Sequence, residues 1–208
     1  MDEIKKIDFD FIKSKKTDKV IIGFHGWQGN KDSFKPLVKN SLFENFNWLL
    51  VQGPYKVNNN PLTRTWSYEI EPNKWAYREP QKLIEDFFNN TVFKKFKSKN
   101  VYVIGFSLGA LVCYEYICSI NKPLGGIFPI AGFMRGNNVN LNKNQIKTPI
   151  IIGHGKSDSI VPIKRSEEAY HSLQRQKANV ELITYEAQHN IPISMLTKIS
   201  QKIKKKHE

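Results

Sequence analysis

Short apolar runs alternate along the chain with longer stretches that place apolar residues at helical spacing. The runs are rich in valine and isoleucine and are bounded by Asn, Gly or Pro, which is typical of buried strands. They occupy residues 18–24, 47–52, 100–106, 124–132, 148–154 and 179–187. The helical pattern occupies residues 33–45, 80–96, 108–121, 163–177 and 191–206. The alternation predicts a fold in which strands and helices take turns.

Strands that are apolar on both faces indicate a parallel sheet covered by helices on both sides. A further run at residues 6–12 alternates apolar and acidic positions, which predicts an antiparallel edge strand. No repeat, linker or change of composition divides the 208 residues, so we expect one α/β domain over residues 1–208. The longest irregular stretch, residues 53–79, is expected to form a small flap rather than a separate cap domain.

The formal net charge is +13, which raises the question of an acidic partner. The basic residues are nearly all lysine and are scattered over the chain, whereas a phosphate-gripping surface uses clustered arginine. Arginine occurs only at Arg64, Arg78, Arg135, Arg165 and Arg175. We therefore expect a solvated surface without nucleic-acid binding, and an acidic partner stays open as the alternative.

Cysteine use and hydropathy predict a soluble cytoplasmic protein. Cys113 and Cys118 lie five apart on one predicted helix, so their side chains point roughly 140° apart and cannot bridge. The first residues hold no apolar stretch of about 7–15 residues, and nowhere do about 18 apolar residues run together. We therefore expect no stable membrane insertion.

One serine stands between two glycines where a predicted strand turns directly into a predicted helix. The segment Gly105-Phe106-Ser107-Leu108-Gly109 fits the G-x-S-x-G pattern in the strand-turn-helix context that it requires. The turn strains the serine, and a Cβ atom at either glycine is expected to collide with its surroundings. The helix start at Leu108 favours an oxyanion. The segment predicts a nucleophilic Ser107, with a turn serine as the alternative.

A nucleophilic serine needs a base and an acid that orients the base. In sheets of this kind the acid and then the histidine follow the serine along the chain. Asp158 is the only aspartate after Ser107, and His189 follows the last strand. His171 lies within a predicted helix and His207 in the basic tail, so both are expected at the surface. The pattern predicts His189 as the base and Asp158 as the acid.

Two other histidines lie near predicted strand ends. His154 precedes Asp158 at the end of a buried strand, where a structural role is the main interpretation and a role as base the alternative. His25 begins a loop after the first parallel strand and is expected to brace it by hydrogen bonds, with a more direct role left open. Gly26 lets that loop aim a backbone N–H inward. Trp27 and Leu108 are the predicted oxyanion donors through their backbone N–H groups.

Four segments together, "HGWQGN", "GFSLG", "HGKSDSIVP" and "AQHNIP", resemble the α/β-hydrolase superfamily. Within it they are similar to the small phospholipase/carboxylesterase family that includes acyl-protein thioesterases. The resemblance runs from about Lys19 onward and includes "TWSYEIE" at residues 65–71. It implies Ser107, Asp158 and His189 as the triad and Trp27 and Leu108 as oxyanion donors.

The chain departs from the family pattern at two points. Leu108 stands where the family usually has Gln, which is harmless if only its backbone is used. "HGWQGN" replaces the usual "HGxGD" and puts the ring of Trp27 at the mouth of the site.

These patterns predict a serine carboxylesterase acting on short to medium acyl esters, with no metal or organic cofactor. An acyl-protein or acyl-CoA thioesterase and a lysophospholipase are close alternatives, because the chemistry at the carbonyl is shared. A catalytically dead scaffold and a basic anion-binding adaptor are remote ones. The substrate is expected to be a small ester in an apolar groove lined by Trp66, Phe133, Met134, Ile160 and Ile191.

Overall fold

The fold is built on a central sheet. The computed structural model describes residues 6–204. Within this range the strands are β1 (Asp8–Ile12), β2 (Val20–Phe24), β3 (Asn47–Gln52), β4 (Tyr55–Val57), β5 (Asn60–Thr65), β6 (Glu69–Glu71), β7 (Lys74–Trp75), β8 (Val101–Phe106), β9 (Gly126–Ile130), β10 (Ile150–Gly155) and β11 (Val180–Tyr185). Seven of them form the sheet in the order β1-β3-β2-β8-β9-β10-β11.

Every neighbouring pair in this sheet is parallel except β1 and β3. The predicted parallel sheet and its antiparallel edge strand are therefore confirmed. The six parallel strands end at one edge, and the loops that follow them meet there.

Helices cover both faces of the sheet, as the patterning predicts. The α-helices within residues 6–204 are α1 (Lys35–Val38), α2 (Arg78–Phe87), α3 (Phe93–Lys95), α4 (Leu108–Val112), α5 (Lys164–Arg175) and α6 (Ile193–Lys204). Neighbouring residues of one strand face opposite cores: Ile22 of β2 belongs to the core cluster that holds residues of α2, α4 and α5, and Ile21 to the one that holds residues of α6. This two-sided burial explains why the strands read as continuous apolar runs.

The helix predicted over residues 33–45 is wrong in extent. A short 3-10 turn, Lys31–Phe34, leads into the one-turn helix α1, and turns follow. The Asn40 side chain accepts a hydrogen bond from the Leu42 N–H at 3.0 Å, which offers the backbone an alternative to the helix. Apolar spacing continues beyond this point and cannot reveal the break.

Two predicted helices contain a π-helical turn. These turns are Phe88–Val92 after α2 and Cys113–Ile117 after α4. The second places the Cys118 N–H 2.9 Å from the Cys113 carbonyl oxygen. The predicted angle of roughly 140° between the two cysteine side chains assumed α-helical geometry. Because a π turn is wider than an α turn, that angle does not apply here. Both cysteines are buried and free.

The stretch predicted as irregular, residues 53–79, contains two small antiparallel hairpins. The first pairs β4 with β5, and the second pairs β6 with β7. Asn58 and Asn59 both have positive φ, 50° and 56°, which is the requirement of a tight hairpin turn. The insertion follows β3 and so starts at the same sheet edge as the other loops.

Across residues 6–204, no helix combines the length and the apolar character needed to cross a membrane. The predicted last helix extends to residue 206, and its final residues lie outside the described part of the chain.

Candidate active site

The turn between β8 and α4 holds Ser107 in a strained conformation. Its φ is 54° and its ψ −115°, a region that few residues other than glycine adopt. A Cβ atom at Gly105 would overlap the carbonyl oxygen of Gly109, and one at Gly109 would overlap that of Phe24. The collisions predicted at both glycines are confirmed. The turn is thus open only to glycine at these two positions.

The structure brings Ser107, His189 and Asp158 together in one hydrogen-bonded row. The Nε2 atom of His189 lies 3.0 Å from the Oγ atom of Ser107. The Nδ1 atom lies 2.7 Å from the Oδ2 atom of Asp158. The three residues follow β8, β10 and β11, whose carboxyl ends share one edge. Because Nδ1 faces a carboxylate, it carries the ring proton, and Nε2 can accept one.

Asp158 is held as a carboxylate. Its side chain is fully buried, and burial alone would raise its pKa. The hydrogen bond from His189 and those from the backbone N–H groups of Val161 and Ile160, both 2.9 Å, outweigh burial and lower the pKa. The buried group therefore stays negatively charged beside the imidazole.

The loop after β2, residues 25–30, holds the predicted donor Trp27 and is called the oxyanion loop for that prediction; it lies against Ser107. A Cβ atom added at Gly26 would come 3.3 Å from the Cβ atom of Ser107. Trp27 is 61% exposed, so its ring stands at the surface. Within residues 6–204, neither the Trp27 amide nor the Leu108 amide donates a hydrogen bond to another group. Both amides therefore remain available to a ligand.

Among the other histidines, His154 also lies near the row, with its Nε2 atom 3.4 Å from the Oδ2 atom of Asp158. His154 is fully buried; its Nδ1 atom lies 2.7 Å from the Ser166 Oγ atom and its Nε2 atom 2.8 Å from the Val161 carbonyl oxygen. These contacts agree with a structural role under the loop that carries Asp158. His171 is exposed on α5. His207 lies outside the described residues.

The predicted groove residues divide into two groups. Ile160 is exposed, and Phe133 and Ile191 are half-buried, on loops at the carboxyl edge. The prediction is wrong for Trp66, which is fully buried and packs against Phe24 and His25. It is also wrong for Met134, which is buried in the core cluster that includes Val112 and Val139. Neither side chain can line an open groove.

One partly buried ion pair was not predicted from the sequence. The Nε atom of Arg135 donates to Glu115 at 2.8 Å, and its Nη1 atom donates to the Ser67 hydroxyl at 3.2 Å. Its guanidinium also lies 5.8 Å from the Trp75 ring. Arg135 therefore joins the loop after β9 to the insertion and to the helix behind Ser107. A charged residue in the otherwise apolar helix segment, Glu115, was the available signal.

No cluster of three or more His, Cys, Asp or Glu side chains within residues 6–204 has the arrangement to hold a metal ion.

The fold matches solved structures, among them two esterases, over most of its length. Esterase PE8 superposes with a TM-score of 0.78 at 16% identity, covering 94% of this chain and 97% of that one. The Bacillus cereus carboxylesterase gives 0.78 at 20% identity, covering 95% and 93%. Arabidopsis thaliana SOBER1 gives 0.75 at 22% identity, covering 89% and 97%. These neighbours show the α/β-hydrolase fold.

Curated sequence relatives match over a shorter stretch. Acyl-protein thioesterase 1 of Kluyveromyces lactis is 32% identical over 93 residues, which are 42% of this chain and 40% of that protein. Acyl-protein thioesterase 1 of Saccharomyces cerevisiae is 31% identical over 83 residues, 38% of this chain and 37% of that protein. The chain thus matches less than half the length of each.

A family model supplies the wider assignment, since it spans residues 11–207 and so includes every strand of the sheet except the first residues of β1. Together with the shared fold, this match shows that the chain belongs to the phospholipase/carboxylesterase family of α/β-hydrolases.

Proposed function

We propose that this chain is a serine carboxylesterase that hydrolyses short to medium acyl esters through an acyl-enzyme on Ser107. The observation that carries the proposal is the hydrogen-bonded row of Asp158, His189 and Ser107. A serine hydroxyl becomes a nucleophile when a base takes its proton and a third group orients that base. The three side chains supply these groups in this order.

In the first half-reaction the Oγ atom of Ser107 bonds to the ester carbonyl carbon while its proton passes to Nε2 of His189. The tetrahedral intermediate collapses, the bond to the alcohol oxygen breaks, and His189 gives its proton to the leaving alcohol. In the second half-reaction His189 takes a proton from water, whose oxygen attacks the acyl carbon. The carboxylic acid leaves, and Ser107 regains its proton. Asp158 stays ionised throughout, in keeping with its lowered pKa.

The oxyanion of each tetrahedral intermediate is assigned to the backbone N–H groups of Trp27 and Leu108. The support is that both amides are free of other partners within residues 6–204 and that the oxyanion loop touches Ser107. Donors that are already oriented in the resting protein stabilise developing charge without reorganisation.

The surroundings of Ser107 favour a small acyl group. Trp27 follows Gly26, which lies against Ser107, so we assign its exposed ring the role of limiting the room beside the carbonyl. Phe133, Ile160 and Ile191 offer apolar contacts on neighbouring loops. Each added methylene gains about 0.8 kcal/mol only while it finds protein to contact. We therefore assign the chain acyl groups of roughly two to eight carbons.

Thioester hydrolysis is the second candidate function. Two matched relatives are acyl-protein thioesterases, and the steps at the carbonyl are the same for an ester and a thioester. A lysophospholipase uses the same steps with a larger substrate.

A substrate profile tests the proposal. The assay compares p-nitrophenyl esters from acetate to palmitate with acyl-CoA thioesters and lysophosphatidylcholine. We expect the highest kcat/KM among esters of about eight carbons or fewer. A maximum at the long-chain esters, or a preference for thioesters above about tenfold, would favour the other substrate classes. No turnover of any substrate would favour a scaffold without activity.

A further inference from the structure

We infer that Trp66 is a positioning residue that sets the orientation of the oxyanion loop through its indole N–H. The inference rests on the proposed function, because it assigns a role to the Trp27 amide. It concerns a side chain that does not touch the substrate. The expected effect is therefore on the stabilisation of the transition state and not on substrate binding.

Trp66 contacts Phe24 and His25, which directly precede Gly26 in the oxyanion loop. Its Nε1–H donates to the carbonyl oxygen of His25 at 2.8 Å. Its ring lies 4.8 Å from the His25 ring and 4.9 Å from the Phe24 ring, measured between centroids. Because the indole is fully buried, water cannot replace this hydrogen bond.

His25 passes the constraint on to the next peptide. Its Nε2 atom accepts from the Gly53 N–H at 2.9 Å, so Nδ1 carries the ring proton and donates to the Gly26 carbonyl oxygen at 2.7 Å. Burial lowers the pKa of His25 to about 4, which keeps this neutral form at neutral pH.

The Gly26 carbonyl and the Trp27 N–H belong to one planar trans peptide, so they point in opposite directions. Two donors hold the carbonyl: His25 at 2.7 Å and the Gly29 N–H at 3.1 Å. Holding the carbonyl thereby fixes the direction of the Trp27 N–H. Trp66 thus acts on this peptide through His25, which donates to the Gly26 carbonyl oxygen.

Trp66 is itself fixed from both sides. The Thr65 hydroxyl donates to the Ser67 carbonyl oxygen at 3.0 Å, and the Ser67 hydroxyl donates to the Ala76 carbonyl oxygen at 2.6 Å. Arg135 also donates to the Ser67 hydroxyl. A rigid support of this kind is what a preoriented oxyanion donor requires.

The test compares Trp66→Phe with Trp48→Phe. Both tryptophans are fully buried, and Trp48 lies in the core on the other face of the sheet, with a long 3.5 Å contact from its indole to Phe43. Phe keeps an aromatic ring but removes the N–H. Both variants lose stability, whereas only Trp66→Phe is expected to misalign the Trp27 amide.

For Trp66→Phe we expect kcat to fall about tenfold with KM changed less than about twofold. Complete removal of one oxyanion donor lowers kcat by about 10²–10³, and a misaligned donor should lose part of that factor. The affinity for a trifluoromethyl ketone, which binds Ser107 as a hemiketal oxyanion, should fall by a similar factor. For Trp48→Phe both quantities should stay within about twofold of the parent.

Equal kcat and equal ketone affinity in the two variants would overturn the inference. If Trp66→Phe does not fold, β-(3-benzothienyl)alanine at position 66 replaces the N–H by sulfur in a ring of the same shape, and the same outcomes apply. Ser107→Ala distinguishes a failure of the proposed function from a failure of the role assigned to Trp66. Activity retained in Ser107→Ala sinks the proposed function, whereas an inactive Ser107→Ala beside an unaffected Trp66→Phe sinks only the role of Trp66.

Discussion

His189 and Asp158 are 31 positions apart in the chain, yet the Nδ1 atom of one lies 2.7 Å from the Oδ2 atom of the other. The contact forms because β10 and β11 are parallel neighbours whose following loops meet at one edge. It orients the imidazole so that Nε2 faces the Ser107 hydroxyl at 3.0 Å. The proposed base is thus held by its acid before any substrate arrives.

Loss of either partner should abolish most of the activity. His189→Ala should lower kcat by about 10³ or more, because the base and the nucleophile act as a unit. Asp158→Asn should also cost several orders of magnitude, since the amide no longer fixes the imidazole tautomer. His171→Ala, an exposed histidine on α5, is the control and should retain full kcat. An equal loss from His154→Ala, with folding intact, would reopen the choice of base.

The rate should depend on the protonation of one histidine. A base must be neutral to accept the serine proton, so kcat/KM should fall at low pH, where a protonated base can no longer take it. Between pH 7 and about pH 5, Asp158 stays ionised because its pKa is lowered, and His25 stays neutral because its pKa is about 4. A pH profile of kcat/KM for a short-chain ester measures this, and a flat profile down to about pH 4 is incompatible with a histidine base.

Stability should also fall in mild acid because of His25. Its folded pKa, about 4, lies below the 6.5 of an unperturbed histidine, so the unfolded chain binds the proton first. The contribution of His25 is present above pH 6.5 and is lost as the pH falls toward 4. We expect a loss of about 2 kcal/mol in unfolding free energy between pH 7 and pH 5 from this group.

Denaturant unfolding of the parent and His25→Asn at both pH values isolates that loss. The difference between the two pH values should shrink in His25→Asn and stay unchanged in the exposed control His171→Ala. The same pH dependence in all three proteins would contradict a buried neutral His25.

Arg135 should matter more for stability than a surface arginine. Its guanidinium is paired with the nearly buried Glu115, so Arg135→Met leaves a carboxylate with little access to water and should cost about 3 kcal/mol. Arg165→Met removes an exposed pair with Glu168 and should cost less than about 1 kcal/mol.

The double variant Arg135→Met/Glu115→Met removes both charges and should regain much of the loss. Chemical denaturation of the three variants provides the comparison. Equal losses for Arg135→Met and Arg165→Met would show that the pair does not stabilise the fold.

Much of the fold was predictable, because burial on both faces leaves continuous apolar runs that local patterning can find. The break at Asn40 was not, since a side-chain hydrogen bond ends the helix while the apolar spacing continues. The hairpin turn at Asn58 and Asn59 did carry a signal, two residues that tolerate positive φ.

The candidate site was predictable where chain order restricts the choice. Asp158 is the only aspartate after Ser107, and parallel strands bring their following loops to one edge. The burial of Trp66 was not predictable, because the local sequence around an aromatic residue looks the same whether the residue lines a groove or lies in the core. Its burial depends on contacts with Phe24 and His25, which lie about 40 positions away.

Covalent labelling tests the central claim most directly. A fluorophosphonate reacts with a serine that has both a base and an oxyanion site, so the intact protein should take up one label per chain, at Ser107, as located by peptide mass spectrometry. Ser107→Ala should take up none and should not hydrolyse esters. Labelling at another residue, or full esterase activity in Ser107→Ala, would contradict the account.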